Sequence, residues 1–233
     1  MAKLHAERRA NPIQAGALGR VADWQAKRLG MTYADLAVQP RYAGAIAFFQ
    51  ADLYGGDDFA QRDADLARIV PVMVRMLPAR VIATVAHAME LNALSHELDR
   101  SLLARLPRAD GQFSVPEYCR GFRKMGNRPA RERQVALIVE IGTALDGYVK
   151  KPLIRAAMVM MRQPARLAGL GALHDFLERG FNAFRRMGAA AEFLEAIATR
   201  ETALLDSIYA GDAAPFPDPL GQVPAPSPRA APE

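Results

Sequence analysis

Apolar residues recur at helical spacing along nearly the whole chain, and no run of alternating β-branched or aromatic residues bounded by hairpin turns interrupts them. The chain therefore reads as all-α. Its punctuation agrees. Gly55 and Gly56 after Tyr54 form a helix stop, Asp58 with Gln61 resembles a capping box, and Leu77-Pro78 marks a start. The clearest start is Ser114-Val115-Pro116-Glu117, where a hydroxyl N-cap, a first-turn proline and a glutamate at N3 coincide. Asn127 before Pro129 repeats the signal more weakly. Helices are expected at about 12 to 29, 40 to 54, 58 to 77, 78 to 106, 114 to 124, 128 to 148, 151 to 162, 164 to 180 and 189 to 209.

The connections are short, which favours one compact bundle of about eight to nine helices over residues 1–210 rather than two domains on a linker. From Gly211 onward, 7 of the last 23 residues are proline. Residues 211–233 are therefore expected to form a disordered or polyproline-like tail. With 233 residues, 51% of them hydrophobic, the chain can bury a core without covalent staples. The single cysteine, Cys119, excludes an intramolecular disulfide and any zinc site built on several thiolates, and suits a reducing compartment. No stretch of about 20 residues is free of charged and polar groups, and the N-terminus has no apolar h-region. A soluble, cytoplasmic protein with no transmembrane segment is the expectation.

The net charge of +5 is unevenly placed, with 11 basic against 4 acidic residues between 111 and 166. Arg120, Arg123, Lys124, Arg128, Arg131 and Arg133 form its densest part, and Lys150, Lys151, Arg155, Arg162 and Arg166 continue it. Such a patch can attract phosphate, an acidic partner or an anionic lipid surface; its bland alternative is a solvated face balanced by the acidic C-terminal third. Arg128, Arg131 and Arg133 at a helix start could make a small anion site. A helix-turn-helix over 114–133 is conceivable, but the second helix is too apolar beyond Val135 to lie free in a groove, which disfavours nucleic acid. Leu153, Ile154, Met158, Met160 and Met161 make a methionine-rich short helix that can line a pocket, touch a membrane or complete the core, the last being the commonest use.

Several ionisable residues fall on apolar arcs. On helix 58–77, Phe59, Leu66, Val70, Met73, Val74 and Leu77 share one arc with Asp63, Arg62 lies at its edge, and Pro71 kinks the helix. Asp63 then needs a partner, most plausibly an arginine, or serves as an acid. On helix 128–148, Asp146 joins Val135, Val139, Gly142 and Leu145, and Gly142 admits a close helix neighbour. Helix 78–106 is apolar on almost every side and reads as the central helix, carrying His87, Glu90, Asn92, His96 and Glu97 for neighbours to satisfy. A di-iron carboxylate site is excluded, since the chain contains no Glu-x-x-His. His174, on a stripe with Leu167, Leu170, Leu177 and Phe181, is a core histidine, a haem ligand or a base. Cys119 beside Arg120 and Arg123 would have a lowered pKa if exposed. No Walker loop, dinucleotide fingerprint or Gly-x-Ser-x-Gly elbow is present.

Phe48, Phe49, Gln50, Ala51, Asp52, Leu53 and Tyr54, followed by Gly55, Asp58, Phe59, Arg62 and Asp63, resemble the bacterial FFLEELY-motif proteins. The resemblance continues through Leu77-Pro78, Leu98-Asp99 and Phe176 to Phe181. It implies a stand-alone helical domain, supplies no catalytic residue, and singles out Tyr54, Arg62 and Asp63. The resulting expectation is a non-enzymatic module that binds an anionic small molecule or an acidic partner through 120–133 and 150–166. The alternatives are a helical enzyme or haem-type protein using His174 or an Asp63/Asp146 pair, and a weak nucleic-acid binder. No particular cofactor is implied.

Overall fold

The computed structural model describes residues 12–50, 79–108, 110 and 112–221. Among them are ten α-helices and no strand. They are α1 (Pro12–Thr32), α2 (Ala34–Ala37), α3 (Pro40–Phe48), α4 (Ala79–Leu103), α5 (Val115–Met125), α6 (Arg128–Val149), α7 (Pro152–Met160), α8 (Arg162–Leu167), α9 (Gly171–Met187) and α10 (Ala191–Ala210). The expected helix 58–77, with Tyr54, Arg62 and Asp63, lies outside the described residues.

Local chemistry explains the best-defined boundary. The Ser114 hydroxyl accepts the Glu117 amide at 3.4 Å and the Glu117 carboxylate accepts the Ser114 amide at 2.8 Å, so two otherwise orphaned donors are satisfied at the start of α5. The expected helix 164–180 is instead two helices. Gly169 has φ 71°, a left-handed conformation that a side chain resists, and the chain turns there between α8 and α9. The stripe through His174 is broken in consequence: Leu167 is exposed on α8, Leu177 is exposed on α9, and His174 and Phe181 are buried.

Among the described residues α6 has neighbours on several sides. It packs against α4, α9, α10 and α7. Gly142 on α6 has no side chain where Leu194 of α10 presses in, so these helices approach closely, as the glycine implied. Among the described residues, Val81, Val85, Ala88 and Met89 of α4 line a partly open cavity, while Leu98 and Leu102 are sealed against neighbouring helices.

Two apolar cores share α10. One gathers Tyr33, Tyr42, Ile46, Phe181, Phe184, Phe193, Leu194 and Ile197; the other gathers Val21, Trp24, Leu102, Phe113, Tyr118, Phe122, Leu205 and Ile208. Trp24 stacks on Tyr118 with centroids 4.4 Å apart. Residues 211–221, assigned by composition to a tail, lie against the second core. Phe216 is buried there with its ring edge-on to Trp24 at 5.9 Å. Among the described residues no helix is long and apolar enough to cross a membrane.

Candidate functional site

On α10 the buried face runs Phe193, Leu194, Ile197, then Glu201, then Leu205 and Ile208, so a carboxylate interrupts the apolar stripe between the two cores. Neighbouring helices bring polar groups to the same level. Gln25 and Arg28, three apart, come from α1; Ser95 and Asp99, four apart, from α4; Arg131 and Gln134, three apart, from α6. These spacings put each pair on one helix face, and Tyr33 and Tyr118 close the group.

The contacts form three linked sets. Arg28 Nη1 donates to Glu201 Oε1 at 2.6 Å, and Tyr33 OH donates to the same oxygen at 2.9 Å. Tyr118 OH donates to Gln25 Oε1 at 3.2 Å, and Gln25 Nε2 passes a bond on to Asp99 Oδ1 at 2.9 Å. Arg131 Nη1 donates to Gln134 Oε1 at 3.0 Å, and Gln134 Nε2 reaches Ser95 Oγ at 2.7 Å. Burial pushes the Tyr118 hydroxyl up to about 12. Loss of hydration raises the Asp99 carboxyl above the usual carboxylate range, against the opposing pull of the Arg131 charge and the Gln25 hydrogen bond.

Arg131 is the exceptional member. It is only 5% exposed, its guanidinium lies 4.7 Å from the Phe122 ring centroid, and its Nε and Nη2 have no hydrogen-bond acceptor. Two donors of this guanidinium, on the same side of its fork, are thus buried without an acceptor. Arg131 and its polar neighbours lie on the wall of a cavity of about 1750 Å³. Most of its lining is apolar, from Val85 and Met89 on α4, Ile138 and Leu145 on α6, and Phe176 and Phe181 on α9. The volume exceeds the roughly 300–1,000 Å³ of ordinary small-molecule sites.

The basic segment is dispersed by the fold. Arg123 Nη1 donates to the carbonyls of Ile208 and Asp212, Arg128 pairs with Glu132 and Asp206 at 2.7 and 2.6 Å, and Arg133 pairs with Glu90 and Glu140 at 2.8 and 2.9 Å. Arg120 and Lys124 are exposed. Only Arg131 of the six turns inward. One signal would have found it: Arg131 stands four residues before Val135 and eleven before Gly142, on the same arc of α6.

The other candidates occupy separate places. His87 Nδ1 lies 3.3 Å from Glu140 on the surface, while Glu90 answers Arg133, which holds its carboxyl below the usual range. Asp146 accepts the Ala190 amide at 3.2 Å, at the start of α10, and pairs with Lys150 at 2.6 Å. His174 is buried on the cavity wall. Its Nε2 has no hydrogen-bond partner and lies 3.8 Å from the Glu178 carboxylate, itself paired with Arg162. Cys119 is fully buried, and that burial drives its thiol up to about 12, opposite to the shift its arginine neighbours would cause in water. No group of three His, Cys, Asp or Glu side chains placed to hold a metal occurs among the described residues.

No curated protein and no solved structure matches the chain. A domain of unknown function, DUF8198, matches residues 4–215, and the chain belongs to that family.

Proposed function

We propose that this chain is a cytoplasmic, non-enzymatic binding module for an anionic small molecule with a large apolar body, held in the cavity with its anionic head at Arg131. The observation that carries the reading is the Arg131 side chain, buried on the cavity wall with two nitrogens that lack an acceptor. Leaving charged donors unsatisfied in the interior is costly, so a ligand carboxylate would gain more there than at the solvated Arg120 or Lys124. The surface arginines support an acidic protein partner less well, because Arg128 and Arg133 are already committed to intramolecular carboxylates. The likeness to FFLEELY-motif proteins adds a stand-alone helical domain to this reading and no activity.

The test is a thermal-shift and calorimetric titration with hexadecanoate and with hexadecanol, on the parent chain and on Arg131→Met. Ligand at a hundred times its Kd stabilises by about 2.7 kcal/mol, or roughly 5–10 °C for a chain of this size. The acid is expected to shift the parent and to bind it at least about ten-fold more tightly than the alcohol, a preference that Arg131→Met abolishes. No shift with either compound, or an acid preference that survives Arg131→Met, overturns the reading.

A second reading rests on His174, whose unpartnered Nε2 on the same wall could ligate the iron of an apolar macrocycle such as haem. Haem titration that leaves the spectrum of free haem unchanged removes it.

A further inference from the structure

Of the three uses open to the methionine-rich helix of Leu153, Ile154, Met158, Met160 and Met161, completing the core is the commonest, yet α7 has no buried residue. Leu153 is 85% exposed, Met160 73% and Leu167 88%, with Val159 and Met161 also open to solvent. Leu153, Ala156 and Met160 recur at i, i+3 and i+7, so one side of α7 is a continuous outward apolar stripe. Ile154 and Met158, on the opposite side, pack against the first core, so α7 is anchored by one face and bare on the other. Exposed Ile13 and Val38 elsewhere are isolated in the sequence by comparison.

Charge selects among the occupants of such a stripe. Between Asp146 and Asp175 the chain has no acidic residue and five basic ones, Lys150, Lys151, Arg155, Arg162 and Arg166. Three of them are answered from outside the segment, by Asp146, Glu178 and Asp175. Lys151 and Arg155, beside the apolar stripe, have no ion pair among the described residues. A second copy of this chain would bring the same cations face to face, whereas a surface of lipid phosphates would neutralise them while accepting the apolar side chains.

We infer that α7 and α8 form a docking surface for an anionic lipid bilayer, with Leu153, Val159 and Met160 entering the headgroup boundary and Lys151 and Arg155 meeting lipid phosphates. The opposite side of α7 contributes Ile154 and Met158 to the cavity lining, and α8 contributes Pro164 and Ala165, so the two docked helices are also part of a cavity wall. This inference does not depend on a ligand binding at Arg131.

The experiment is flotation of the full chain with vesicles of phosphatidylcholine mixed with phosphatidylglycerol, and with vesicles of pure phosphatidylcholine. Two variants accompany the parent: Leu153→Asn with Met160→Gln, and Lys151→Gln with Arg155→Gln. Leu153, Arg155 and Met160 are exposed and Lys151 is half-buried, and unchanged thermal melting certifies the fold of each variant. The parent is expected to float with the anionic vesicles alone. The apolar variant should partition about ten-fold less or worse, and the charge variant about five-fold less for each removed charge, with the parent released by high salt. Absence of flotation, equal flotation with neutral vesicles, or binding that neither variant weakens overturns the inference. So does a parent that is dimeric by light scattering and becomes monomeric in Leu153→Asn with Met160→Gln, since the stripe would then be covered by a second copy.

Discussion

Replacing Glu201 with leucine removes the carboxylate that joins α10 to α1, and its cost can be reasoned from the surroundings. The pair is well shielded, with Arg28 and Glu201 side chains 9% and 14% exposed and 2.6 Å apart. Removing one partner of a buried pair costs about 3–5 kcal/mol, because the remaining charge stays desolvated. Tyr33 OH also loses its acceptor. Taking the low end, about 3 kcal/mol, the melting temperature should fall by roughly 6–12 °C. The informative comparison is Arg28→Met combined with Glu201→Leu. If the pair is held by mutual compensation, the double variant recovers at least about 2 kcal/mol relative to the sum of the singles. Urea unfolding of the four proteins gives this coupling directly. At moderately raised salt the coupling should change little, since solvent ions do not reach between the two groups. A double variant as unstable as the two single losses added together would refute the claim that these residues answer each other.

Three further outcomes are expected. Phe216→Ala should destabilise by about 3 kcal/mol in urea unfolding, because it empties a buried position beside Trp24 and Tyr118; a loss under about 0.5 kcal/mol would mean that 211–221 is not part of the core. Gly142→Val should cost about 1–3 kcal/mol by forcing α6 away from Leu194, and Leu194→Ala in the same chain should return part of it, both read by thermal melting. The folded Asp99 carboxyl is raised, so below the ordinary carboxylate range it costs the fold nothing, and as pH rises from that range up to its folded value the unfolded state increasingly gains by ionising. The stability of Asp99→Asn relative to the parent should therefore increase between acid and neutral pH; a constant or decreasing difference would contradict the raised value.

Much of the architecture is legible where local chemistry decides it. The Ser114 to Glu117 box needs no tertiary context, and α5 begins where the four residues say it must. Gly142 similarly announces a close neighbour, although only the fold identifies Leu194. The break at Gly169 is missed because leucines at 167, 170 and 177 mimic a continuous helical stripe, and periodicity does not record a left-handed turn. The candidate site is harder to read. Six basic residues between 120 and 133 look equivalent in the chain, and what separates Arg131 from Arg128 and Arg133 is the carboxylates that Glu90, Glu140 and Asp206 deliver from distant helices. The polar level between the two cores depends on α1, α4, α6 and α10 arriving at one height, which no single helix wheel contains. The exposure of α7 is hidden for the opposite reason: its composition is that of a core helix, and only its placement leaves Leu153 and Met160 outside.

Phe216 also bears on the order in which this protein can be assembled. Its ring seals a cluster that includes Trp24 of α1, Phe113, and Tyr118 of α5. During vectorial synthesis α1 emerges long before that seal exists, so Trp24 and Phe113 stay uncovered until the segment around Phe216 has left the ribosome. An arrested nascent chain ending before Phe216 should thus be more open to protease around α1 than the released protein, and this half of the bundle has an interval in which a chaperone can act.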